Sequence, residues 1–201
     1  IHYVITRGGE APNVVPDFAE VYYYVRHPQA EKLQQLWKRV IDISSAAALG
    51  TGTDVEVEVM HGNHSLLPNE KLARQMHANL TRVGGVRYNA EEQAFAEEIS
   101  GSLGVGNFVG MEKEILRFEL RQGMGSTDVG DVSWVVPTVG LRTSTWVPGT
   151  APHSWQAIAA GGTSIGTKGM RVAAKALSLT ARDLLLDPAL IEAGRREFNR
   201  R

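Results

Sequence analysis

The periodicity of the chain changes twice within residues 1–61, from strand to helix and back, and this order constrains the fold more than any single residue does. Residues 1–7 alternate with period two, placing Tyr3 and Ile5 on one face, and "GGEAPN" at 8–13 is turn chemistry. Residues 17–26, "DFAEVYYYVR", are aromatic and β-branched and read as a second strand. Pro28 suits a first helical turn, and Leu33, Leu36, Trp37, Val40 and Ile41 recur at three-to-four spacing. A helix over 29–49 with Gly50 as its stop is expected. "DVEVEVM" at 54–60 then alternates again, valines against acids, as a strand with one wet face does. Strand, strand, helix, strand is the back part of a split βαβ sandwich.

The second half has another character. Asn69 is placed to cap a helix over 70–83, with Leu72, Met76 and Leu80 inward and Gly84-Gly85 ending it. A helix near 90–99 follows, carrying Phe95 and Ile99, and residues 100–130 are rich in glycine and poorly periodic. "VSWVVPTV" at 132–139 reads as a buried strand and "GLRTSTWV" at 140–147 as another. Helices are expected after His153, over 169–187, and after Pro188. The fold class is α/β, with a boundary between residues 61 and 66. Ile1 opens inside a strand pattern without an initiator Met, so the chain reads as a piece of a longer polypeptide.

Composition excludes several classes. A net charge of −1 gives no broad attraction to nucleic acid or anionic membrane. No apolar run reaches the ~20 residues of a membrane helix. The absence of cysteine rules out disulfides and thiolate chemistry and fits a reducing, cytoplasmic compartment.

Three groups of residues could carry chemistry. Asn13 and Arg26 flank the second strand, and an amide with a guanidinium fork suits a carboxylate. A turn amide and a surface charge would look the same. "GMGSTDVGDVSW" at 123–134 offers Ser126, Thr127, Asp128 and Asp131 beside glycines whose amides could cradle an anion. Asp128 is equally a turn former. His153 in "GTAPHSWQ" could be a metal ligand, a general base or a neighbour of a helix cap. A catalytic zinc needs about three protein ligands. His2, His27, His61, His64 and His77 offer no pair at helical i, i+4 spacing, and the three-residue spacing of His61 and His64 is too weak a signal to complete a set. "AGGTSIGTKGM" at 160–170 is not a phosphate loop, because Lys168 is followed by Gly169.

Taken together, "GGEAPNVVPDFAEVYYYVR", "GSTDVGDVSW", "GTAPHSWQAIAAGG" and "GTKGMRVAAKALSLTARDLL" resemble the co-catalytic metallopeptidases of the aminoacylase and dipeptidase type. The resemblance is nearest to the amidohydrolase branch that includes aminobenzoyl-glutamate utilization protein B, and the motifs keep their order along the chain. It implies a doubly wound α/β catalytic domain with an inserted split βαβ lid that makes a dimer contact. Residues 1–61 would then be the back half of the lid, and 66–201 the C-terminal segment of the catalytic domain. It also implies two divalent metals, zinc or manganese, bridging an activated water, with a glutamate as general base on an amide bond. By the same resemblance His153 matches the last metal ligand, and Asn13 and Arg26 match the lid pair gripping the substrate carboxylate. Ser126 and Thr127 match a loop that helps hold that carboxylate, and Gly161 and Gly162 the start of a loop lining the substrate pocket. Asp128 and Asp131 fall in a motif without an assigned role. The other metal ligands and the base would lie upstream of Ile1, so the isolated chain is expected to be inactive and to bind no metal. The implied partners are a small amide substrate and an identical or sister subunit joined through the lid. Two other readings compete, a dimerisation or interaction module and a small-molecule-binding βαβ domain.

Overall fold

A computed structural model describes residues 1–121, 123 and 125–200. The chain divides into two compact units, Ile1–Ser65 with Ser126–Asp131, and Leu66–Gly125 with Val132–Arg201. Among the described residues there are seven α-helices and one two-stranded sheet.

In the first unit, β1 (His2–Arg7) pairs antiparallel with β2 (Glu20–Tyr24), His2 opposite Tyr24 and Ile5 opposite Val21. The ladder slips between Ile5 and Arg7, where Thr6 donates to the Glu20 carboxylate at 2.5 Å. Tyr3 packs across the sheet on Tyr23 with ring centroids 5.8 Å apart. The helix α1 (Ala30–Thr51) passes through Gly50 and ends at Gly52, whose φ of 65° lets Thr53 N–H reach the Ala48 carbonyl. Its half-buried stripe is Leu33, Leu36, Val40, Ile41 and Ser44, and no residue of α1 is fully buried.

Residues 54–60 are not a strand in the structure. Alternation specifies which face each side chain takes; a strand also needs a neighbour to accept its N–H groups. The described sheet consists of β1 and β2 alone, and Val55, Val57 and Val59 are exposed.

The second unit is helical. Helix α2 (Glu70–Val83) begins at Asn69, whose side chain accepts from Leu72 N–H, and α3 (Ala90–Gly101) begins in a capping box of Asn89 and Glu92. A 3₁₀ turn at Met111–Lys113 precedes α5 (Trp155–Gly161), α6 (Ser164–Leu186) and α7 (Pro188–Phe198), while the single helical turn α4 (Val129–Ser133) has Val129–Asp131 in the first unit and its last two residues in the second. The core is Ala96, Ile99, Val147, Ala160 and Ile165, with Tyr88, Phe95, Val109 and Ala159 against it.

The expected strands at 132–139 and 140–147 are absent. The first of these runs starts inside α4, Pro137 removes a ladder donor, and Trp134, Val135 and Val136 lie exposed rather than between covered faces. Helix α6 starts five residues ahead of the expected 169, because Thr163 caps it by accepting from Ile165 N–H. Its glycines are not loop formers. A Cβ on Gly166 would lie 2.1 Å from the Gly161 carbonyl oxygen, and one on Gly169 would lie 2.3 Å from that of Ser144. No helix among the described residues is long and apolar enough to cross a membrane.

Candidate functional site

The candidate residues are shared between the two units. Asn13, Arg26, Ser126, Thr127, Asp128 and Asp131 belong to the first, and His153, Gly161 and Gly162 to the second.

Asn13 lies in a turn closed by Val14 N–H donating to the Ala11 carbonyl at 3.1 Å. Arg26 follows β2, and its guanidinium carbon sits 5.0 Å from the centre of the Tyr24 ring. Tyr24 in turn meets Tyr22 edge to face at 5.2 Å. A hydrogen bond between these two side chains holds the Tyr22 phenol above its usual range. Arg26 is exposed and stacked, which leaves its fork directed by the ring and open to an anion.

Ser126, Thr127 and Asp128 are exposed. Thr127 accepts from Val129 N–H through its hydroxyl, at 3.3 Å, and from Gly130 N–H through its carbonyl, at 3.2 Å. Asp128 accepts Asp131 N–H through its carbonyl, as a turn former does. The Asp131 carboxylate accepts the His64 backbone N–H at 2.9 Å and meets His64 Nδ1 at 2.8 Å. The backbone bond first, and the ring bond second, hold this carboxyl below the ordinary aspartate range. Met124 of the same glycine-rich stretch lies outside the described residues.

His153 has φ of 61°, the single non-glycine residue at positive φ among those described. It directly precedes Ser154, whose hydroxyl caps α5 by accepting Ala157 N–H at 3.3 Å. The imidazole is exposed and makes no hydrogen bond to any described residue. Gly161 ends α5 beside Trp146, and Gly162 is the C-cap, so these two glycines join two helices rather than open a loop. No group of three or more histidine, aspartate or glutamate side chains among the described residues could hold a metal ion. His153 therefore belongs to no such group, and the described residues by themselves do not fit a two-metal centre.

Residues 2–52 match the family model of the peptidase dimerisation domain. Over 98% of its length the chain is 34% identical to one of the subunits of the p-aminobenzoyl-glutamate hydrolase of Escherichia coli (strain K12), covering 47% of that protein. It is 33% identical, again over 98% of its length, to the Xaa-Arg dipeptidase of Mus musculus, covering 40% of it. The Homo sapiens Xaa-Arg dipeptidase is 30% identical and is covered over 39%. The chain is similar over nearly its whole length to members of this peptidase and hydrolase family, and residues 2–52 carry the family's dimerisation-domain pattern. It spans less than half the length of the relatives it matches. The dimerisation-domain match covers β1, β2 and α1.

Two arrangements escape sequence reading. The His64–Asp131 contact joins residues 67 positions apart, and no local pattern announces it. The second is a buried acid in the helical unit. Glu92 accepts from Asn89 N–H at 2.7 Å and Ser164 Oγ at 2.6 Å, and pairs with Lys168. Burial pushes its carboxyl upward, but Lys168, Ser164 and the Asn89 amide outweigh burial and hold it low. The spacing Asn-x-x-Glu in "NAEE" carries the signal for that capping box.

Proposed function

We propose that these residues form the lid and the C-terminal part of the catalytic domain of a metal-dependent amidohydrolase. Its substrate class is an amide beside a carboxylate, of the p-aminobenzoyl-glutamate or N-acyl amino acid kind. The observation that carries this reading is the alignment of 98% of the chain with relatives named as part of a hydrolase and as dipeptidases. On this reading residues 1–61 are lid, and Arg26 and Asn13, with the Ser126-Thr127 loop, hold the substrate carboxylate. His153 supplies one imidazole to a divalent centre completed by donors other than those described, and its unbonded ring and left-handed backbone support that role. When bound, the metals would polarise the amide carbonyl and activate water. The isolated chain is catalytically silent.

A second reading describes how the chain behaves on its own, as an association module. The sheet exposes Tyr3, Val4, Ile5 and Tyr23, and the matched family model is a dimerisation domain.

Elemental analysis of the chain, purified without chelator and supplied with zinc and manganese, tests the first reading. The expected ratio is well below one metal per chain. A stoichiometric ratio that survives dialysis and persists in His153→Ala would remove His153 from the ligand set and overturn the reading.

A further inference from the structure

The loop Ser126–Asp131 lies in the middle of the second unit's sequence, yet it packs as part of the first. Two contacts account for this. Gly130 is buried with its α-carbon against His64, and a Cβ there would lie 1.9 Å from the His64 carbonyl oxygen, so only glycine permits the approach. One residue on, a single oxygen of Asp131 takes both the main-chain N–H and the ring Nδ1 of His64, at 2.9 and 2.8 Å. An ionised carboxylate only accepts, so the ring presents Nδ1–H. Within the loop, Thr127 and Asp128 carbonyls close two successive turns on Gly130 and Asp131, so pinning the far end fixes the near end, where Ser126 and Thr127 stand.

We infer that His64 and Asp131 are a positioning pair that fastens the Ser126-Thr127 loop to the unit bearing Asn13 and Arg26, making one carboxylate-gripping body. The inference rests on the proposed role of those four residues in holding the substrate carboxylate. It gives Asp131 a task, and it places carboxylate recognition within one unit while His153 belongs to the other. Neither His64 nor Asp131 touches substrate on this account; each acts through the loop. Because the His64 side chain is largely open to water and that of Asp131 partly so, the pair alone is weak. It works by adding to the glycine contact beside it.

The test uses the full chain and two independent readouts. Amide hydrogen exchange reads the clamp. Asp131→Ala, which removes both bonds, should speed exchange across 61–65 and 126–131 by about threefold to tenfold, with 70–83 unchanged. His64→Ala, which keeps its main-chain donor, should give a smaller effect, and the double variant no more than Asp131→Ala. Affinity for N-acetylglutamate and for its α-carboxamide reads the function. Asp131→Ala should weaken the acid about threefold to tenfold and leave the carboxamide unchanged, as Arg26→Ala should more strongly. Unchanged exchange overturns the pair whatever the ligands do. Faster exchange with unchanged affinity makes the clamp merely structural and overturns the positioning role. A wild-type chain that binds the two probes equally removes the carboxylate reading itself, and the exchange data still report on the clamp.

Discussion

A histidine held at φ 61° is a local conflict, since an L side chain there crowds the following carbonyl. The left-handed conformation costs an ordinary residue about 1–2 kcal/mol relative to the right-handed one. Glycine removes that cost but brings back about 0.5–1 kcal/mol of backbone entropy on folding. His153→Gly is therefore expected to fold with stability within about 1 kcal/mol of the parent, on either side of zero. A β-branched side chain fits this region worst, so His153→Val should lose about 1–2 kcal/mol. Urea titration of the three proteins, at equal slopes, decides it. Equal midpoints for the valine and glycine variants would mean that the turn after Pro152 relaxes without strain. The neighbouring positions explain why the conflict persists. Ser154 must be extended to cap α5, and the turn before it is fixed by Thr150 N–H donating to the Val147 carbonyl at 3.1 Å. The residue between has little choice of backbone. The proposed ligand role would account for an imidazole at a position whose backbone glycine would fit equally well.

Between elements, α2 is held at three places along its length. At its start Glu197 of α7 accepts the Glu70 and Lys71 N–H groups, both at 2.9 Å, as an anion at a helix N-terminus should, and Asn69 reaches the Gly194 carbonyl. Midway, Met76 packs under Thr180 of α6. One turn further on, the buried Asn79 donates to Thr180 Oγ1 at 3.1 Å and to Asp183 at 2.8 Å, while Gln75 donates to the same Asp183 oxygen at 2.7 Å. Asn79 first and Gln75 second hold the Asp183 carboxyl below its ordinary range. A depressed folded-state value gives stability that is present above the unfolded value, near pH 4, and lost as pH falls through the folded one. Asn79→Ala removes two hydrogen bonds, one to Thr180 and one to the Asp183 carboxylate, and should cost about 2–3 kcal/mol at pH 7. It should also make the acid loss below about pH 4 shallower, without abolishing it, since Gln75 still donates. Parallel acid-unfolding curves for the two proteins would show that Asp183 gains nothing from the amide. Local rules made much of this unit legible: Asn69, Gly84 and the three-to-four spacing of Leu72, Met76 and Leu80 specify α2 completely. What local rules missed has one cause. Valine alternation at 54–60 and the apolar runs at 132–147 describe faces, whereas a strand exists only with a paired neighbour, and pairing is not a property of the segment. The glycines of α6 make the complementary point, because close approach to the carbonyls of Gly161 and Ser144 demands glycine in a helix as firmly as a turn does.

On the scale of the whole chain, the two units differ in what holds them. The second has a closed apolar core in which Ala96, Ala160 and Ile165 are wholly buried. The first has none. Every residue of β1 is exposed, α1 buries no side chain fully, and Tyr3, Ile5, Phe18 and Val59 are each more than half open. A two-stranded sheet and one helix do not bury enough apolar surface to offset the ordering of about 65 residues, so the first unit alone should be marginal in water. On the association reading proposed above, a second copy covering the sheet would supply the missing term by mass action. Stability of the first unit is then expected to depend on protein concentration while that of the second does not. For a two-state dimer each tenfold dilution weakens the folded form by up to about 1.4 kcal/mol, the free energy of a tenfold change in an equilibrium constant. Hydrogen exchange over 1–60 should speed on dilution from about 100 to about 1 micromolar, alongside a fall in sedimentation coefficient, with 70–101 and 164–198 unmoved. Concentration-independent protection of the sheet at a constant sedimentation coefficient would refute this, and would require the first unit to draw its stability from within the chain. The same dilution series bears on the carboxylate grip. If the body carrying Arg26 is ordered by a second copy, affinity for a carboxylate probe should rise with self-association, and Asp131→Ala should weaken binding at every concentration without shifting the dimer transition.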